Sequence, residues 1–204
     1  MSSDNEILTI KDGIVNKEKW DKASVKALFL LKESYGTLQG TYSLTEWYNN
    51  NNPYGQTGQG CVRLLKAILD TADLIPDDEI LRYAAFVNLN NEYNTDKITP
   101  WKKLQSIFNE EKYKVVLDKI REIKPEVIFC GNTYWLLRQK NNALPTMSKG
   151  QALLINNTNT VFDGIVMVNG YHPMYKNDYT KPDSPTNACT ISERVHIELN
   201  KRIK

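Results

Sequence analysis

Val25-Lys26-Ala27-Leu28-Phe29-Leu30-Leu31 runs directly into Lys32-Glu33-Ser34-Tyr35-Gly36. The first part is a short apolar run with too few polar breaks for a surface helix. It reads as a strand buried on both faces, as in a parallel sheet. The second part puts a carboxylate, a hydroxyl, an aromatic ring and a glycine where that strand ends. Ligands of open α/β sheets collect outside the carboxyl ends of the strands. Glu33 and Tyr35 therefore stand where such a fold does its chemistry. The alternative is an ordinary turn, with Gly36 supplying a positive φ and Glu33 in solvent.

Three more runs repeat the pattern. Tyr83-Ala84-Ala85-Phe86-Val87 ends in Asn88-Leu89-Asn90-Asn91. Glu126-Val127-Ile128-Phe129-Cys130 closes on Gly131-Asn132. Ile165-Val166-Met167-Val168 ends in Asn169-Gly170-Tyr171-His172-Pro173-Met174-Tyr175-Lys176. Helical spacing fills the intervals, at 61–72, 102–109, 112–123, from Trp135 onward and at 187–203. Strands alternating with helices predict an α/β fold, a three-layer α/β/α sandwich on a four-stranded, mainly parallel sheet.

The remaining segments are less regular. Residues 1–16 read as a loose N-terminal arm or a short edge strand. A short helix with Trp20 packed inward follows. Residues 36–60 form a polar loop insertion punctuated by glycine, with Tyr42, Trp47, Tyr48 and Tyr54 and an asparagine run. Loops this long are functional or disordered, and the aromatics argue against full disorder. A short helix near 43–48 fits there, with Ser43 as cap and Glu46 three residues on. Gly58 and Gly60 precede the helix at 61–72, whose first amides could hold a phosphate. Asn132 is placed to cap the helix after the third strand. Residues 152–155 and 160–162 could pair as a ribbon.

The totals bound the class. A chain of 204 residues with 41% hydrophobic and 25% charged residues fits one domain with a substantial core. A net charge of +2 is too mild to announce a polyanion partner, though a local basic face fits beneath it. Three scattered cysteines show no metal-ligand spacing, so no metal and no cofactor are expected, and a reducing cytoplasm is the simplest setting. No secretory signal or membrane span is read.

In their order, Lys32-Glu33-Ser34-Tyr35, Phe86-Val87-Asn88-Leu89-Asn90 and Tyr171-His172-Pro173-Met174 resemble the strand-end motifs of the uracil-DNA glycosylase superfamily. The resemblance spans about residues 25–180. It implies that Glu33 takes the place of the water-positioning aspartate and Tyr35 that of the ring closing the base pocket. Asn88 falls at the asparagine that reads the base edge, and His172 at the histidine that supports the departing base. Pro173 stiffens the histidine loop. Met174, Tyr175 and Lys176 fall where the family inserts a side chain into DNA, and the choice among them is open. Ser34 stands where the family often has proline, and Gly36 where it often has histidine. The loop insertion, with Tyr42, could shape the base pocket.

The implied activity is that of a monofunctional, metal-free DNA glycosylase acting as a monomer on a flipped-out uracil or modified pyrimidine. Cleaving a base–sugar bond builds positive charge on the sugar and negative charge on the base. A carboxylate meets the first and an imidazole N–H the second. An amide that both donates and accepts reads a pyrimidine edge. Basic side chains such as Lys176 and Lys181 would hold the backbone. The alternatives are a non-catalytic nucleic-acid or nucleotide binder and an unrelated small α/β hydrolase. The latter lacks a Gly-x-Ser-x-Gly elbow and a phosphate loop.

Overall fold

A computed structural model describes residues 11–33, 43–50, 55–70, 72–90, 100–174, 180–182, 184 and 186–203. The four apolar runs are strands: β2 (Ala27–Leu31), β3 (Ala84–Asn88), β4 (Val127–Gly131) and β6 (Val166–Gly170). Every residue in them is buried, which explains why they show no polar alternation. β2 pairs in parallel with β3 and β4, and β4 with β6.

The sheet has six strands instead of the expected four, in the order β1-β3-β2-β4-β6-β5. The two additions are antiparallel edges, β1 (Gly13–Ile14) against β3 and β5 (Ala152–Leu154) against β6. Segments of two and three residues are too short to show a period. The expected ribbon between 152–155 and 160–162 does not form, because Ala152–Leu154 takes Val166–Val168 as partner. The end of the expected N-terminal arm is thus an edge strand from Gly13; its first ten residues lie outside the described set.

Two apolar clusters cover the two faces of the sheet. Phe29, Leu31, Phe86, Phe129 and Val168 face helices α3 (Gln56–Ile68) and α7 (Ala188–Asn200) through Leu64, Leu65, Ile191 and Val195. Leu28, Leu30, Val87, Ile128 and Met167 face α4 (Trp101–Ile107), α5 (Glu110–Ile123) and α6 (Tyr134–Lys140) through Leu104, Val116, Ile120 and Leu137. The period of two in each strand sends alternate residues to opposite layers. On the first face Phe29 stacks on Phe86 and on Phe129, each at 5.2 Å. This aromatic row crosses three strands. A one-residue slip of any of these strands would send its ring to the other layer, so the row fixes register.

The short helices follow local signals. α1 (Lys17–Lys22) is capped by Asn16, whose side chain accepts the Lys19 N–H, and it buries Trp20. α2 (Leu44–Asn50) starts after Ser43, whose hydroxyl accepts the Glu46 N–H at 3.2 Å. α3 begins five residues before its expected start, and Gly58 and Gly60 lie inside it. The two glycines therefore do not precede the helix as expected, and Gly60 instead packs against Pro173. Among the described residues no helix is long and apolar enough to cross a membrane.

Candidate active site at the carboxyl edge of the sheet

The four parallel strands finish level with one another. Leu31 pairs with Asn88, and Gly131 with Gly170. Pairing continues past the strands: Leu89 N–H donates to Leu31 O at 2.9 Å, Asn90 N–H to Lys32 O at 2.9 Å, and Asn132 N–H to Gly170 O at 3.0 Å. These bonds hold Lys32-Glu33, Leu89-Asn90, Asn132-Thr133 and Tyr171-His172 along one edge. Six polar side chains there are almost fully enclosed: Glu33, Asn88, Asn90, Thr133, Asn169 and His172. Buried polar groups at strand ends need partners or a purpose.

Asn88 is pinned from below. Its backbone N–H donates to Asp12 Oδ2 at 2.9 Å, and the other Asp12 oxygen pairs with Lys119 of α5. Asp12 sits just ahead of β1, so the edge strand that sequence reasoning left open anchors the end of β3. Asn88 lines a small cavity with Leu89 and with Lys112, Val116 and Lys119 of α5. Nearby, Lys112 Nζ donates to Asn90 Oδ1 at 2.6 Å.

His172 is held in one protonation state. Met174 N–H donates to His172 Nδ1 at 3.3 Å. Nδ1 is then an acceptor, and the ring proton resides on Nε2. Burial, with the Lys32 charge second, pulls the imidazole down to a pKa of about 4. At neutral pH this is an uncharged ring that presents one N–H donor. The same Lys32 ammonium feels the Glu33 carboxylate, which raises its pKa against the larger lowering effect of burial. Lys32 thus lies within electrostatic reach of both expected catalytic residues.

Two glycines admit the histidine segment. A Cβ on Gly131 would fall 2.9 Å from Leu31 Cδ2, 3.1 Å from Pro173 Cδ and 3.6 Å from His172 Cα. A Cβ on Gly60 would fall 2.0 Å from the Pro173 carbonyl oxygen. His172-Pro173 therefore threads between the first turns of α3 and the end of β4. Sequence reasoning gave Gly60 a different role, because nothing local reveals a neighbour so far along the chain.

Asn132 does not cap α6. It has a left-handed φ of 61° and its side chain accepts from Lys149 Nζ at 2.7 Å. Thr133 occupies the cap position without a side-chain bond to the helix; its hydroxyl donates to Leu30 O at 2.8 Å. Lys149, absent from the expected site, also donates to Asn169 Oδ1 at 3.1 Å and Gly170 O at 2.9 Å. With Lys32, Trp101, Asn132 and Trp135 it lines a cavity of about 500 Å³. Glu33, Asn88 and His172 are not among those lining residues. Trp135 could have been suspected from sequence, being an indole on the wet side of an amphipathic helix.

Of the remaining expected residues, Pro173 is buried and Met174 half-buried beside His172. Tyr35, Tyr42, Tyr175 and Lys176 lie outside the described residues. Among the described residues no three His, Cys, Asp or Glu side chains gather into a metal-ligand set. No family model matches the chain, and no curated protein matches it.

Proposed function

We propose that the chain is a monofunctional DNA glycosylase that hydrolyses the N-glycosidic bond of an extruded uracil or modified pyrimidine, on a three-layer α/β/α sandwich. The observation that carries the reading is the state of His172. It is a buried, neutral imidazole whose Nδ1 is occupied by Met174 N–H, leaving Nε2–H as donor. A neutral donor suits a base that leaves as an anion, because it stabilises the developing oxygen charge without an ionised group in the ground state. Glu33 and Asn88, buried on the same edge, supply the two other groups that the chemistry requires.

The roles follow from residue chemistry. As the bond between the sugar C1′ and the base nitrogen breaks, its electron pair leaves with the base. Positive charge grows on the sugar, where the Glu33 carboxylate stabilises it and orients a water. The water oxygen bonds to C1′ and passes its proton to the Glu33 carboxylate, which returns it to solvent as the base leaves as an anion. The Asn88 amide accepts from and donates to the pyrimidine edge, which a base with another pattern leaves unpaired. The partner is DNA bound to one copy of the chain. The setting we propose is the cytoplasm, which suits the free thiols Cys61, Cys130 and Cys189.

The test is mass spectrometry of small molecules released from oligonucleotides that carry uracil, mismatched thymine or a modified cytosine. One free base and a matching abasic strand are expected. Intact strands in every case, with enzyme in excess, would refute the reading.

A further inference from the structure

The cavity on the α4 and α6 side of the sheet edge has a composition that the proposed chemistry does not use. Trp101, at the start of α4, and Trp135, on α6, meet edge to face with ring centroids 6.1 Å apart. They are 36% and 50% exposed. Folding has left two large apolar rings half in water, side by side, at the wall of one cavity. Lys32 Nζ stands 5.2 Å from the Trp101 ring centroid, and among the described residues no hydrogen bond or ion pair claims it.

Lys149 is the second cation. Its three donors go to Asn132 Oδ1, Asn169 Oδ1 and Gly170 O, all neutral acceptors, so its position is fixed while its charge is uncompensated by them. Burial lowers the pKa of both ammonium groups, and for Lys149 the Lys32 charge lowers it further. Among the described residues that line the cavity there is no carboxylate; the acid felt by Lys32 is Glu33, the next residue. Two like charges close enough to disturb each other, beside open indoles, call for an anion joined to a flat ring.

We propose that this cleft holds an unpaired nucleotide of single-stranded DNA, next to the nucleotide whose base is released, with its base stacked on one of the two inclined indoles and abutting the other, and its phosphate toward Lys32 and Lys149. The inference rests on the preceding reading for the identity of the polymer. About 500 Å³ lies within the roughly 300–1,000 Å³ typical of sites for small ligands. Base–indole stacking is tolerant of sequence, because every base has a π-face. A paired base is already stacked on both sides, so an indole platform selects a strand that is single or locally open. Lys32 adjoins Glu33 in the chain, which puts the cleft one residue from the expected catalytic carboxylate. The strand would then pass from one group to the other without a gap.

The test measures fluorescence anisotropy of a short labelled oligo-deoxyadenylate, which offers no pyrimidine, with the full chain. Trp101→Ala and Trp135→Ala should each weaken binding about tenfold, and Trp135→Phe should retain most of it. Lys32→Gln should reduce the slope of log affinity against log salt by about 0.7. A duplex of the same length should bind the wild type and both alanine variants alike. Wild-type affinity for the single strand in both alanine variants overturns the proposal, as does an equal loss on the duplex. Displacement by free deoxyadenosine monophosphate at equal nucleotide concentration overturns the strand and leaves a mononucleotide site. Base release is followed in parallel on a uracil strand. Indole-dependent binding without base release removes the glycosylase reading and keeps the cleft; base release with indole-independent binding does the reverse.

Discussion

Gly60 and Pro173 approach so closely that a Cβ on residue 60 would lie 2.0 Å from the Pro173 carbonyl oxygen. The obstacle is backbone, next to a rigid proline ring, and it cannot rotate aside. Gly60→Ala therefore forces α3 and the histidine segment apart. Alanine is a better helix former by roughly 1 kcal/mol, but overpacking costs typically about 1–3 kcal/mol and the contact is severe. Net destabilisation is expected by urea denaturation, with His172 displaced. Gly55→Ala is the control, since nothing lies within 4 Å of its Cβ position. A Gly60→Ala protein as stable as wild type would contradict the close approach.

Asp12 joins β1, α5 and the end of β3. Its carboxylate accepts the Asn88 N–H and pairs with Lys119, and its side chain is 1% exposed. Removing it leaves a buried N–H and an unpaired ammonium. Asp12→Ala should cost roughly 1.5–3 kcal/mol, the range for hydrogen bonds to charged groups. Hydrogen exchange should show the Asn88 amide losing protection ahead of the β2 amides. Unchanged protection at Asn88 would mean that Asp12 does not anchor this end.

His172 makes stability fall in acid. Its folded pKa of about 4 lies below the ordinary 6.5. Above pH 6.5 the ring is neutral folded or unfolded, and it contributes no slope. Between 6.5 and 4 the unfolded chain binds the extra proton, so stability drops as pH falls and levels off below about 4. The full drop is about 3 kcal/mol. Urea titrations of wild type and His172→Gln across this window should differ by that slope. Parallel curves would show that the ring is not held neutral.

The parallel strands were legible because burial on both faces writes each as an apolar run with a polar terminus. The placement of the candidate residues was legible for the same reason: Glu33, Asn88 and His172 each stand at the end of such a run. The edges were not legible. Gly13–Ile14 and Ala152–Leu154 are strands because a neighbour offers a ladder, and nothing in two or three residues announces it. Gly60, Asp12 and Lys149 act on partners far along the chain, through packing or through bonds that only the fold creates. Asn132 resembled a cap because its residue type favours one, but Lys149 claims its side chain. Its left-handed φ belongs to a turn, a conformation that asparagine tolerates.

Thiol chemistry should separate the three cysteines. Cys61 and Cys130 are buried and Cys189 is exposed. Burial pushes the Cys130 thiol up to about 12 and the Cys61 thiol well above its usual value. The thiolate is the reactive form, so both should be inert near neutral pH. Maleimide should label Cys189 alone in the native protein and all three thiols in denaturant. Fast native labelling of Cys130, which lies one residue before Gly131 in β4, would indicate an edge that opens readily.

The central claim is that His172 donates from Nε2 to a departing base. It is tested most directly by the single-turnover rate of base release from the most reactive strand, for wild type, His172→Ala and His172→Gln, with strand binding measured alongside. Loss of one such donor costs about 10²–10³ in rate. The account predicts that His172→Ala binds the strand yet releases base at least about a hundredfold more slowly, with partial recovery in His172→Gln, whose amide N–H can donate. Release by His172→Ala at the wild-type rate, or no release by the wild type from any strand, would contradict it.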